Sequence, residues 1–177
     1  QCRGWSGIFP ALAEPMNGGM DLGDVLREWI EPALAFLPVS LNTLARAQLV
    51  LGIGNKETQY RYLRQIGGGP ALGPWQMETA THDDMWRNFI RYRPELQNAA
   101  LRLLAGATPD ARLLTTRMDY AALMAALHVY RSPVSLPAYG NAVAQATFWK
   151  DNFNTKLGKG TVAGALPFFQ QAVKVMA

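Results

Sequence analysis

The stretch LNTLARAQLVLGIGNKE, residues 41–57, narrows what this chain can fold into more than any other. Leu44, Ala45, Ala47, Leu49, Val50, Leu51 and Ile53 leave no broad polar face. A helix that is apolar on most sides has to lie at the centre of a domain, with other helices laid around it. Ser40 or Asn42 is placed to cap its start, and it should stop near Glu57. A lone carboxylate thus stands at the buried end of a central helix. Loss of hydration raises a carboxyl pKa, so Glu57 can hold a proton near neutral pH and act as a proton donor. The plain alternative is a surface glutamate beside Lys56.

A loop follows, from Gln59 to Met77, with Gly67, Gly68, Gly69 and Gly73, closing on Trp75 and Gln76. A strand pair is expected within it, around residues 60–63 and 72–75. The order of these parts resembles soluble lytic transglycosylases and goose-type lysozymes. In that family a catalytic Glu at a helix end is followed by Gly-Ala-Leu-Gly-Leu-x-Gln-hydrophobic. Here Glu57 is followed by PALGPWQM, Pro70 to Met77. LREWIEPAL, THDDMWRNFIRYRPEL and YGNAVAQATFWKDNFNTKLGKGT are similar to segments of small phage proteins carrying this domain. Two positions depart from the pattern: Thr58 stands for the usual Ser, and Pro74 for the usual Leu. Threonine keeps the hydroxyl, whereas Pro74 stiffens the loop and removes a backbone donor.

The resemblance implies a mainly α, lysozyme-like (transglycosylase) fold with a small β-hairpin near the site. It also implies cleavage of the MurNAc–GlcNAc β-1,4 bond of peptidoglycan, with Glu57 as general acid. Gln76 would be the amide of the cleft, bonding an N-acetyl group or orienting Glu57, and Trp75 and Met77 would help form the sugar site. Tyr130 would present its hydroxyl to the cleft. Asn154, in Phe153-Asn154-Thr155, would stand for the Asn of the family's Tyr-Asn-x-Gly element. Gly52 and Gly54 each lower helix propensity by roughly 1 kcal/mol against alanine, which points to close approach by another backbone or a sugar ring. The implied setting is a phage endolysin or virion-associated lysin, made in the bacterial cytoplasm and acting on periplasmic peptidoglycan. The rival is a non-catalytic virion or wall-binding protein that keeps the fold, for which Thr58 and Pro74 speak.

An inverting hydrolase needs a second carboxylate about 6.5–9.5 Å from the acid, to activate water. Glu78, Asp83 and Asp84 are nearest in sequence. Asp83 and Asp84 also suit the first turn of a helix capped by Thr81, where the helix dipole favours negative charge. A lytic transglycosylase needs no such partner, because the muramic C6 hydroxyl attacks within the substrate. The want of an obvious second acid tilts the reading that way.

Other chemistries find little support. His82 and His128 lack metal-site spacing and read as structural, so no metal and no cofactor is expected. GIGNK and GGGPALG do not make the G-x-x-x-x-G-K-[ST] phosphate loop, and no nucleophile elbow is present. Cys2 is the sole cysteine, which excludes an intramolecular disulfide and suits a reducing compartment. The net charge of +4 favours an anionic partner such as cell wall, while no dense Lys/Arg run points to nucleic acid. No apolar run reaches the ~18 residues of a membrane span, and the first residues lack the pattern of a signal peptide. The resemblance implies the peptidoglycan glycan strand as partner, met by a monomer.

The remaining pattern is helical. Residues 1–20 read as an irregular arm, with Trp5, Ile8 and Phe9 packed on the body, and residues 21–177 as one domain. Asp21 caps a first helix, broken near Glu31 by Pro32. Further helices are expected from Thr81, from Pro94 to Leu104, from Asp119 to Tyr130, from Asn141 to Phe153, and from Thr161 to Val175, with NTKLGKG a turn before the last.

Overall fold

A computed structural model describes residues 19–154 and 160–177. Over the described residues the chain is mainly helical, with one two-stranded antiparallel hairpin. The expectations for Cys2, Trp5, Ile8 and Phe9, and for most of NTKLGKG, fall outside the described residues.

Asp21 caps α1 (Leu22–Val25), its carboxylate accepting from the Asp24 amide at 3.0 Å. The break expected near Glu31 takes the form of a π-helical turn, Leu26–Ile30, leading into α2 (Glu31–Leu34) without a change to extended backbone. The Glu31 amide reaches back to the Leu26 carbonyl, one residue further than in an α-helix. This wider turn lies just ahead of Pro32, which has no amide to donate and crowds the turn before it.

The central helix is α3 (Leu44–Thr58), buried without interruption from Arg46 to Asn55. Its cap is Thr43, whose hydroxyl accepts from the Arg46 amide at 3.2 Å, rather than Ser40 or Asn42. α6 (Met118–Arg131) is buried almost as fully and packs beside it. α8 (Val162–Val175) lies along α3, and α7 (Ala142–Asn152) lies against α8. α5 (Pro94–Leu104) opens on Pro94, where a missing amide costs nothing. Asn141 and Thr161 cap α7 and α8 through their side chains. Buried apolar side chains from Val25 to Ala172 form one core. No helix among the described residues is long and apolar enough to cross a membrane.

The two glycines of α3 are explained by aromatic rings, not by another backbone or a sugar. A Cβ on Gly52 would stand 2.3 Å from the Phe169 ring, and one on Gly54 2.3 Å from the Tyr60 hydroxyl. Both contacts are far inside van der Waals distance, so each glycine lets α3 take an aromatic anchor directly against its backbone.

Loop 59–77 differs from the expected strand pair. Its strands are β1 (Ala71–Leu72) and β2 (Met77–Glu78), paired Leu72 with Met77 and Ala71 with Glu78, and residues 60–63 contribute no strand. Only a single bridge, Arg64 with Leu72, lies on the other side of β1. Residues 73–76 form the turn instead of a strand, with Gly73 at φ 74° and Gln76 at φ 49°. Pro74 has no amide for a ladder. Tyr60 points into the core and donates to the Leu51 carbonyl at 2.9 Å. α4 (Thr79–Asn88) starts two residues before the predicted Thr81, directly out of β2. Asp83 and Asp84 therefore sit in its second turn, and the dipole explanation for them fails.

Candidate active site

Glu57 lies in the last turn of α3, where the chain leaves helical geometry through Gln59 at φ 51°. Helix ends leave carbonyls without partners, and here a side chain of the following loop takes one of them, while others bond further back along the helix or within the loop. Tyr62 donates to the Glu57 carbonyl at 2.9 Å. Trp75 Nε1 donates to the Val50 carbonyl at 2.8 Å. The Thr58 hydroxyl donates to the Pro74 carbonyl at 2.9 Å and accepts from the Tyr60 amide at 3.1 Å. The loop is thus drawn back along the helix, and the turn at residues 73–76 is set beside the Glu57 carboxyl. Thr58, a departure from the family pattern, makes one of the joints.

A cavity of about 330 Å³ opens there. Glu57 forms one part of its wall; Trp75, Gln76, Met77 and Glu78 another; Thr81, His128, Asn152 and Phe153 the rest. A second cavity of about 480 Å³ shares Thr81, His128 and Asn152 with the first and runs on to Asp84, Arg131 and Pro133. Together they make one open groove.

The half-buried Glu57 carboxyl is held above its usual pKa, because burial outweighs two influences in the other direction. These are a hydrogen bond from Trp149 and the charge of Lys56, whose ammonium stands 4.9 Å from the centre of the Trp149 ring. Trp149 Nε1 donates to Glu57 Oε1 at 2.6 Å. An indole N–H can only donate, so it requires a lone pair on Oε1. A carbonyl oxygen accepts better than the O–H oxygen of a carboxyl, so the bond from Trp149 favours the proton of a protonated Glu57 on Oε2, which has no hydrogen-bond partner among the described residues. The arrangement is that of a carboxylic acid with its proton left free to give away.

The other sequence candidates separate. Gln76 lines the cavity, yet its amide donates to the Gly73 carbonyl at 2.9 Å and makes no bond to Glu57. Met77 is buried and contributes an apolar wall. Trp75 is 4% exposed, bonded to α3 and edge-on to Tyr60 at 5.8 Å, so it is a core residue touching the cavity, with no free face for stacking. Glu78 is exposed on the same wall. Asp83 does not reach the groove: its carboxylate accepts from His82 Nδ1 at 2.9 Å, beside a different cavity. Asp84 lies on the groove's far reach, where hydrogen bonds from Asn88 and then from Arg131 hold its pKa below the usual range.

Tyr130 does not present its hydroxyl to this site. It lies across α6 from the groove, against Phe89 and under the Arg46 guanidinium. At about 100° per residue it points roughly 200° away from His128, which does line the cavity. Asn154 is likewise displaced: its side chain accepts from Lys150 at 3.0 Å just past α7, while Asn152 and Phe153 reach the groove. His82 is structural as expected, buried and bonded to the Tyr120 hydroxyl at 2.8 Å. His128, read as structural, stands on the wall of both cavities. Trp149, His128 and Asn152 were not legible as site residues, since they come from α6 and α7, far along the chain from Glu57. Phe153 was visible only as the neighbour of Asn154.

Among the described residues, no cluster of His, Cys, Asp and Glu is arranged to hold a metal ion. Comparison of the chain with protein-family models, with curated proteins and with solved structures finds no match.

Proposed function

We propose that this protein is a peptidoglycan glycosidase that cleaves the MurNAc–GlcNAc β-1,4 bond with Glu57 as general acid. The observation carrying this reading is the Glu57 carboxyl itself: raised in pKa by burial, fixed through Oε1 by a donor that cannot accept, and set on the wall of an open groove. Glu57 protonates the bridging oxygen, and positive charge develops at the sugar C1 as the bond breaks. In a lytic transglycosylase the muramic C6 hydroxyl closes on C1 to give the anhydro sugar; in a muramidase water attacks C1 and leaves a reducing end. The lysozyme-like fold, and the setting of a phage endolysin or virion-associated lysin, belong to the same proposal and rest on the sequence resemblance.

Of the three carboxylates considered for a second acid, Asp84 is engaged by Arg131 and Asp83 faces elsewhere, which leaves Glu78 on the cavity wall. The test is mass spectrometry of muropeptides released from purified sacculi by the wild type and by Glu57→Gln. Anhydro-muropeptides from the wild type alone support a transglycosylase, and reducing ends support a muramidase with Glu78 as its candidate base. An absence of products across several wall types sinks the catalytic reading and leaves a wall-binding protein.

A further inference from the structure

The Glu57 groove contains a second group equipped for proton transfer. His128 is on the wall of the cavity that holds Glu57, and also on the wall of the cavity adjoining it, so a chain-like substrate lying through both must pass over it. Its ring is braced against Phe153, with centroids 4.6 Å apart and the planes tilted by 55°. Its nitrogens have no hydrogen-bond partner among the described residues, in contrast to His82, both of whose nitrogens are engaged. A braced imidazole with open nitrogens, beside an acid and facing a groove, is a group available to substrate. We propose that His128 is a second catalytic residue of this site, the acceptor of the proton from the hydroxyl that attacks the sugar C1.

This rests on the glycosidase reading of the groove. The charged groups around His128 are Arg131 on its own helix, Glu57 from α3, and Glu78 and Asp84 at and beyond the start of α4. Burial first, then the charge of Arg131, push the His128 pKa down to about 4. At neutral pH the imidazole is therefore uncharged and can accept, with a basicity like that of the carboxylate bases of inverting glycosidases. Burial pushes Glu57 the other way. Both departures favour the uncharged pair, acid on Glu57 and base on His128, over the ion pair.

The step balances. The O–H bond of the attacking hydroxyl breaks, and its proton goes to an imidazole nitrogen. The oxygen's electron pair forms the bond to C1. The bond from C1 to the bridging oxygen breaks, and that oxygen keeps the electron pair and takes the Glu57 proton. Imidazolium and carboxylate remain, and proton exchange through solvent in the opened groove restores the starting forms. The same step serves a muramic C6 hydroxyl or a water molecule.

The experiment measures turnover of purified, soluble glycan strands by the full chain and by His128→Gln, with folding checked by circular dichroism and thermal melting. A general base is worth on the order of a hundredfold or more, so kcat should fall by at least that factor while KM and sacculus binding stay within a few-fold. His128→Ala should recover part of its turnover when imidazole is added. Turnover of folded His128→Gln within a few-fold of wild type overturns the proposal, as does a loss confined to KM, or a folded His128→Ala that imidazole does not rescue. In each of these cases an active wild type leaves the Glu57 reading standing. A wild type that releases no product overturns both.

Discussion

Gly54→Ala is expected to destabilise the protein, although by helix propensity alone it should help. Alanine is favoured over glycine inside a helix by about 1 kcal/mol. Against that, the new Cβ would stand 2.3 Å from the Tyr60 hydroxyl oxygen, 2.5 Å from Cζ and 2.7 Å from Cε1. The ring has little freedom to yield. It packs edge-on between Trp29 at 6.1 Å and Trp75 at 5.8 Å, and its hydroxyl donates to the Leu51 carbonyl at 2.9 Å. Overpacking of this kind costs about 1–3 kcal/mol, and loss of the buried hydrogen bond adds about 1–3 kcal/mol. The net expectation is a loss of roughly 1–5 kcal/mol, or about 2–4 °C in Tm per kcal/mol for a chain of this size. The assay is thermal and urea denaturation of Gly54→Ala, Tyr60→Leu and the double variant. In the Tyr60→Leu background the alanine should cost much less, giving a clear coupling energy. A stabilising Gly54→Ala, or an equal loss in both backgrounds, would refute the reasoning.

Two further outcomes follow from the Glu57 environment. Because its folded pKa is raised, the stability it contributes is fully present below the unfolded value and is lost as pH rises through the folded one. Glu57→Gln should therefore gain stability relative to wild type as pH rises through that window, in urea melts across pH 4–8; a wild type that gains instead contradicts the burial argument. Trp149→Phe removes the donor that favours the Glu57 carboxylate, so the pKa should rise further and the high-pH limb of glycan turnover should move up. A limb that stays put or moves down, measured in the pH–rate profile, means that the indole does not govern the acid.

Legibility tracked the range of the interactions involved. The central position of α3 could be read because an all-round apolar helix has one place to go, and the cap at Asp21 is local chemistry within three residues. Glu57 at the end of α3 came with it. The strand register failed because Tyr60 and Trp75, one in each expected strand, are claimed by the core: Tyr60 bonds across 9 residues to Leu51, and Trp75 across 25 to Val50. No alternation pattern encodes such bonds. Tyr130 and Asn154 each missed the groove by two positions or fewer from residues that line it. A motif locates a segment, but the rotation of a helix about its axis is fixed by packing, and two residues on α6 turn a side chain from groove to far side.

Packing and chemistry meet at the two glycines. Glu57 is one turn beyond Gly54 on α3, so whatever fixes the backbone at Gly54 also fixes the acid. The bare backbone there admits Tyr60; Tyr60 and Thr58 begin the loop; and Thr58 and Trp75 bring its far end back to the helix. The glycines are therefore not hinges that loosen the site. Gly52 seats Phe169 of α8, and Gly54 is the contact point through which the core, by way of Tyr60, holds the start of the loop that carries residues 73–76. Burial deep enough to raise the Glu57 pKa depends on the same closure, since a loop lifted from α3 would admit water to the carboxyl. The acid's proton affinity and the loop's position are then one property of the fold, and a substitution that loosens the Tyr60 anchor should lower the Glu57 pKa toward its ordinary value without touching the residue itself.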